Sequence, residues 1–269
     1  MSPRPRPAEV ARFLRQRAEA GEEALFLDHD DRTRILSAAA RASRAGADPS
    51  WSPRNGDSPR APTGATPAGG GHESLPGEYE ELRSAALACT RCRLADTRTQ
   101  VVFSDGVPDA RLVVVGEAPG AREDATGLPF VGPAGKFLDL LLECIDLSRA
   151  ESVYICNVLK CRPPGNRNPL PDEIEACAPF LRRQLELISP LALLAVGTFA
   201  GQWLTGQSKP LGRLRGQVHT YEGVPLVVTY HPAALLRNAG WTRAVWDDLQ
   251  LLRHVMAGAE QASAPPRGE

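Results

Sequence analysis

The stretch Arg111-Leu112-Val113-Val114-Val115-Gly116-Glu117-Ala118-Pro119-Gly120 decides the fold. A run of branched aliphatic residues this short and this uniformly apolar fits a strand buried on both faces, and the glycines and proline after it mark a turn. Three further runs share that character, Val153–Leu159, Leu191–Gly197 and Pro225–Tyr230. Helical patterns lie between and after them at Gly135–Ile145, Pro171–Ile188, Phe199–Thr205 and Ala233–Met256, with Asp172 as a candidate cap for the second. Strand and helix alternating four times predicts an α/β fold, a central four-stranded parallel sheet flanked by helices on both faces. Such sheets bind ligands beyond the carboxyl ends of their strands.

Chemistry-bearing residues gather at those ends. The first run stops in Gly116-Glu117-Ala118-Pro119-Gly120; the second carries Asn157 and runs into Lys160-Cys161-Arg162-Pro163-Pro164-Gly165-Asn166; the fourth stops in His231-Pro232. The first turn is neither a phosphate loop ending in Lys-Ser/Thr nor a dinucleotide fingerprint, because the glycine spacing is wrong for both. A tight connection would use the same glycines, a lone histidine is more often a core residue, and a strand asparagine can simply tie down a loop. Three separated segments converging on one sheet edge outweigh those bland readings taken singly.

Outside this core the chain changes character. Residues 1–45 form an N-terminal extension rich in Ala, Arg and Glu, compatible with one or two short helices. Residues 46–77 hold 6 Pro and 7 Gly and almost nothing to bury, so they read as a disordered linker. The folded domain is expected over 78–258, with a disordered tail at 259–269. With 31 basic against 32 acidic residues there is no whole-molecule attraction to nucleic acid, so such binding must come from local patches. No apolar run approaches the roughly 18 residues of a membrane span, and the expectation is a cytoplasmic monomer that keeps its thiols reduced.

The six cysteines then matter by position. Cys144 sits in a strongly apolar helix and Cys156 inside a strand pattern, both readable as small core residues. Cys89 and Cys92 form a C-x2-C bite, Cys161 lies where a strand yields to a Pro-Pro-Gly loop, and Cys177 lies early in the next helix. These four make a metal-binding quartet. Four thiolates suit an iron–sulfur cluster or zinc, and ligand type alone leaves both open.

From about Glu78 to Met256 the chain resembles the iron–sulfur uracil-DNA glycosylases called family 4. The resemblance rests on Gly116-Glu117-Ala118-Pro119-Gly120 followed by Glu123-Asp124, on Gly127-Leu128-Pro129-Phe130-Val131-Gly132, on Asn157-Val158-Leu159-Lys160-Cys161-Arg162-Pro163-Pro164, and on His231-Pro232-Ala233-Ala234. The cysteine spacing, C-x2-C, then 68 residues, then C-x15-C, is also similar to the family's pattern. This resemblance implies a [4Fe–4S] cluster on Cys89, Cys92, Cys161 and Cys177, and hydrolysis of uracil from single- or double-stranded DNA at the start of base excision repair.

It also implies roles. Phe130 resembles the aromatic that stacks on the flipped uracil, Asn157 the amide that reads its O4 and N3–H, and His231 the imidazole that stabilises charge on O2. Backbone at Gly116, Glu117 and Ala118 would complete the pocket. In a better-known sister family the loop reads G-Q-D-P-Y-H, and its aspartate helps to orient the attacking water. Ala118 occupies that place here; Glu117, Glu123 or Asp124 could substitute electrostatically, with Glu123 slightly favoured, and each could equally be a solvated charge or a helix-start residue. Gly120 replaces the tyrosine that bars thymine in that sister family. Leu235, Leu236 and Arg237 resemble the segment that wedges into DNA, although both leucines could simply begin the last helix. Lys160, Arg162 and Arg167 offer charge to phosphates, with Lys209, Arg213 and Arg215 as a second patch. Two rivals lose ground: a sister enzyme that traps DNA covalently needs a histidine after Cys161, which is missing, and a non-catalytic module would not need both Asn157 and His231. Residues 1–77 lie outside the resemblance, and no partner for them is implied.

Overall fold

The structure, a computed structural model, describes residues 75–263. The expected extension, linker residues 46–74 and tail residues 264–269 lie outside that range.

Each apolar run becomes a strand. A two-residue strand β1 (Asp105–Gly106) precedes β2 (Leu112–Gly116), followed by β3 (Val153–Asn157), β4 (Ala192–Val196), β5 (Val218–Tyr221) and β6 (Val224–Thr229). They form one sheet in the order β1-β3-β2-β4-β6-β5, with β3, β2, β4 and β6 mutually parallel. The four-stranded parallel core is therefore as expected. Two antiparallel edges extend it, β1 against β3 and β5 against β6. Periodicity could not reveal the edges, since β1 is two residues long and β5 is half exposed.

Both faces of the sheet are apolar, which is why the runs show no alternation. Leu112 and Val114 of β2 face one layer, where α3 (Pro133–Glu143) contributes Leu138 and Leu142 and α8 (Thr242–Ser263) contributes Val245, Leu249, Leu252 and Met256. Val113 and Val115 face the other, packed by Leu181, Leu185 and Ile188 of α4 (Pro171–Ile188) and by Ala200 and Leu204 of α5 (Thr198–Thr205). Cys156 is fully buried in the second layer and Cys144 is buried at the end of α3, so both are core residues.

Four expectations need correction. The last helix is interrupted: α7 (Pro232–Arg237) ends at Asn238, whose extended backbone breaks the ladder and whose Oδ1 accepts the Gly240 amide in a 3₁₀ turn, Ala239–Trp241, before α8 begins. Asp172 does not cap α4. Glu173 does, its carboxylate accepting the Leu170 amide at 2.9 Å, while Asp172 pairs with Arg93. Packing extends ahead of the expected start at Glu78 and of α1 (Tyr79–Leu87), because Leu75 packs on the Leu82–Phe103–Phe180 cluster and Arg183 binds the Pro76 and Gly77 carbonyls. Finally, α8 runs through residues 259–263 of the expected tail, where Glu260 pairs with Arg111 beside β2.

A polar tie secures the end of β6. Asp248 of α8, fully buried, accepts from Thr229 Oγ1 at 2.7 Å, from Arg215 Nε at 3.0 Å and from the Gly216 amide at 3.1 Å. Burying a carboxylate is costly unless its lone pairs are filled, and here they are. The tie holds the strand end two residues before His231.

Candidate active site

Strand register builds the site. Pairing of β2 with β3 sets Gly116 directly opposite Asn157. A side chain at Gly116 is excluded, because a Cβ there would lie 2.3 Å from Asn157 Oδ1 and 2.7 Å from the Phe130 ring. Asn157 and Phe130 thus close around a bare strand end. His231 completes the group: its ring stacks beside Phe130, centroids 5.6 Å apart and planes 25° from parallel. Gly197, at the end of β4, approaches His231 from below, with space for a Cβ only 3.4 Å from that of the histidine. The residues expected at three strand ends therefore meet in one place.

Each carries a chemical signature. Asn157 is 2% exposed, yet no described residue hydrogen-bonds its side-chain amide. Buried amides are normally paired, so one left open beside an aromatic ring is prepared for a ligand. His231 Nδ1 accepts the Ala233 amide at 3.2 Å, which leaves the ring proton on Nε2. Burial, and then the charge of Arg237, hold its pKa down at about 4, so the imidazole is neutral at neutral pH. Burial pushes Glu117 the other way, up to about 7. Its main-chain carbonyl accepts the Leu159 amide, as Gly116 O accepts that of Val158, so the turn is stitched to the continuation of β3. Ala118 packs against the Leu94, Leu159 and Cys161 cluster.

Phe130 is held in an unusual backbone state, φ +53°, which a non-glycine residue adopts only when its surroundings enforce it. Glu123 supplies part of the enforcement. Its Oε1 accepts the amides of Val131 (3.0 Å) and Gly132 (3.1 Å), bracing the Phe130 loop from α2 (Ala121–Thr126). Its Oε1 is thus engaged in holding the loop. Asp124 is likewise committed, accepting the Thr99 amide at 2.9 Å. Of the three carboxylates considered, Glu117 alone has no hydrogen-bond partner for its side chain among the described residues.

The cysteine quartet also converges. Cys89, Cys92, Cys161 and Cys177 line one cavity together with Arg91, Arg98, Lys160 and Phe180. Among the described residues no three His, Cys, Asp or Glu side chains gather closely enough to hold a single metal ion. Arg98 donates to Cys161 Sγ at 3.3 Å and the Lys160 amide to Cys177 Sγ at 3.2 Å. Burial raises the thiol pKa of Cys92, Cys161 and Cys177, the last to about 12, so thiolates here require strong cationic compensation.

The expected DNA contacts divide. Lys160 is 2% exposed, its ammonium donating to the Asn157 carbonyl at 2.8 Å, so it cannot meet a phosphate. Arg167 is locked in a bidentate pair with buried Glu173, and Arg215 is committed to Asp248. Leu235 is buried in the core, as the bland reading allowed. Leu236 is partly exposed and Arg237 exposed on α7, and Arg162 is partly exposed with Nε on Asn166 Oδ1. Unanticipated is Leu128, 44% exposed two residues before Phe130.

The strand ends of this parallel α/β sheet thus bring together an open amide, an aromatic ring and a neutral imidazole. The profile of the uracil DNA glycosylase superfamily matches residues 103–250, and the chain belongs to that superfamily. It is 45% identical to the type-4 uracil-DNA glycosylase of Archaeoglobus fulgidus over 58% of this chain and 82% of that protein, and 44% identical to that of Thermotoga maritima over 60% and 86%. Similarity to the type-5 enzyme of Pyrobaculum aerophilum is lower, 31% over 61% and 86%.

Gly116→Ala tests the close approach that defines the pocket. The methyl group must displace Asn157 or Phe130, and a shift of about 1 Å in a binding group is expected to lower kcat/KM for the natural substrate by about 100-fold while the protein still unfolds cooperatively. Activity within about twofold of wild type would show that the two side chains do not act from these positions.

Proposed function

We propose that this chain is a uracil-DNA glycosylase that hydrolyses the N-glycosidic bond of a deoxyuridine flipped out of single- or double-stranded DNA, initiating base excision repair of deaminated cytosine. A single observation carries the reading: Asn157 and Phe130 close around Gly116 and His231 stacks on Phe130, with the asparagine amide unpaired among the described residues. Uracil presents an acceptor at O4 and a donor at N3–H, which one amide can answer with its own donor and acceptor; cytosine reverses both. The Phe130 ring offers a stacking face. His231, neutral and protonated on Nε2, donates to O2 as negative charge gathers on the departing base. Donation from a neutral ring stabilises the uracil anion without the ring first having to take up a proton from solvent.

Cleavage breaks the C1′–N1 bond, and a water oxygen bonds to C1′. We place Glu117 beside that water. Ionised, it balances the cationic sugar and accepts the proton the water releases. Arg162, Arg237, Lys209 and Arg213 face the DNA with Leu236 and Leu128, the leucines available as wedges. The free thiols suit the reducing cytoplasm, and no described helix is long and apolar enough to cross a membrane. The enzyme is taken to act as a monomer.

Cys89, Cys92, Cys161 and Cys177 would hold a [4Fe–4S] cluster, and the cationic side chains and N–H···S bonds around their cavity fit its thiolates. A cluster, whose ligands stand further apart than those of one ion, suits this cavity better than zinc. When bound it cross-links the Cys89–Cys92 segment to the start of the Cys161 loop and to α4.

Purified protein is expected to release uracil from single-stranded DNA and from U·G duplexes, and His231→Ala to lower the rate by two or more orders of magnitude, in the range typical of removing one such donor. Across pH, kcat/KM should rise through about 7 as Glu117 ionises and then level, His231 staying neutral because its pKa lies near 4. Glu117→Gln should remove that rise; a profile unchanged in this variant would sink the water assignment.

As isolated, the protein should be brown from thiolate-to-iron charge transfer, with about four irons per chain, and Cys177→Ser should bleach it. One zinc in a colourless protein would overturn the cluster.

A further inference from the structure

We propose that Arg149, which no motif singles out, is the positioning residue that sets Phe130 for base stacking; the proposal rests on the reading of the pocket as a uracil site. Its guanidinium, 18% exposed, reaches two carbonyls of the strained loop, Pro129 O at 2.9 Å from Nη1 and Phe130 O at 3.0 Å from Nη2. The same group is fixed from behind by two carboxylates, Asp105 of β1 at 2.7 Å and Asp139 of α3 at 2.9 Å. One planar fork therefore ties edge strand, helix and loop together, with every bond charge-assisted.

The loop needs this clamp. Phe130 sits at φ +53°, a state that costs free energy for any residue with a Cβ, and relaxing it would swing the ring away from Gly116 and His231. Glu123 holds the amides that follow Phe130, whereas Arg149 holds the carbonyls on either side of its Cα. Gly135 lets α3 press against the same spot, since a Cβ there would lie 1.6 Å from Phe130 O. Arg149 itself is anchored in a tight turn in which the Ser152 and Val153 amides both donate to Ser148 O. Thus the base-stacking ring is positioned by a residue on the far side of its own backbone.

The test is a double-mutant cycle on uracil excision under single-turnover conditions, with inhibition by free uracil measured in parallel. Arg149→Lys keeps the charge for Asp105 and Asp139 but cannot span both carbonyls. It should fold, lose on the order of 10-fold or more in rate, and bind free uracil correspondingly less well. Phe130→Ala should lose activity too, and adding Arg149→Lys to it should cost nothing further, because the arginine acts through the ring. Full additivity of the two losses, or wild-type uracil inhibition in Arg149→Lys, overturns the proposal while leaving the pocket reading intact. Wild-type activity in Phe130→Ala overturns the pocket reading, and this proposal with it.

Discussion

Everything at the site depends on one pairing constraint, the parallel register that sets Gly116 opposite Asn157. In a parallel ladder a slip by one residue sends every side chain to the opposite face, so the register is locked by the two apolar layers, in which residues of β2 and β3 alternate between clusters. Packing of fully buried aliphatic side chains in two layers therefore fixes the position of one polar amide. The absence of a side chain at Gly116 then allows Phe130 and the Asn157 oxygen to approach within the space a single methyl group would fill. Core and site are a single construction, and a change in one is felt as displacement in the other.

Burial does the electrostatic tuning without an opposing charge. The same desolvation lowers the pKa of His231 to about 4 and raises that of Glu117 to about 7, because in each case it disfavours the ionised form. Two groups whose environments push them to opposite sides of their ordinary values can share acid and base work at neutral pH. For His231 the Ala233 amide adds the tautomer, so hydrogen bond and burial agree on a neutral ring that donates from Nε2. Stability carries the trace of this arrangement. Between about 4 and the ordinary histidine value the unfolded chain binds a proton that the folded ring refuses, so His231 contributes stability that is lost as pH falls through that window. Glu117 acts oppositely, its contribution fading as pH rises from the ordinary carboxylate range towards 7.

How much of this was legible in the sequence follows from range. The four parallel strands were, because each is a continuous apolar run and burial on both faces removes ambiguity. Gly116, Asn157 and His231 were, because strand ends are where such sheets bind ligands, and the quartet Cys89, Cys92, Cys161 and Cys177 was, because the two remaining cysteines sat in core patterns. Charged residues were misread wherever their partner lay far away in the chain. Lys160, Arg167 and Arg215 look like a phosphate patch in one dimension, yet each is drawn inward, to the Asn157 carbonyl, Glu173 and Asp248 respectively. Glu123 looked free until the loop at Val131 folded back onto it. Arg149 gave no signal at all, since the need it meets, a positive φ at Phe130, is invisible until the backbone is traced.

Lys160 shows why the thiol cavity and the pocket occupy the same end of the sheet. Its amide donates to Cys177 Sγ, its side chain lines the cavity, and its ammonium returns to the carbonyl of Asn157, three residues back. No carboxylate pairs with it among the described residues. Burial depresses its pKa, and the neighbouring sulfurs of Cys156, Cys177 and Cys161 act in the opposite sense, so the lysine is held in a desolvated place that its contact with the Asn157 carbonyl only partly offsets. That ammonium in turn fixes the main chain at the residue whose amide faces the pocket. An apolar side chain of equal length could fill the volume but could not donate to the carbonyl. The lysine that one-dimensional reasoning assigned to DNA is an internal strut between the thiol cavity and the strand end at Asn157.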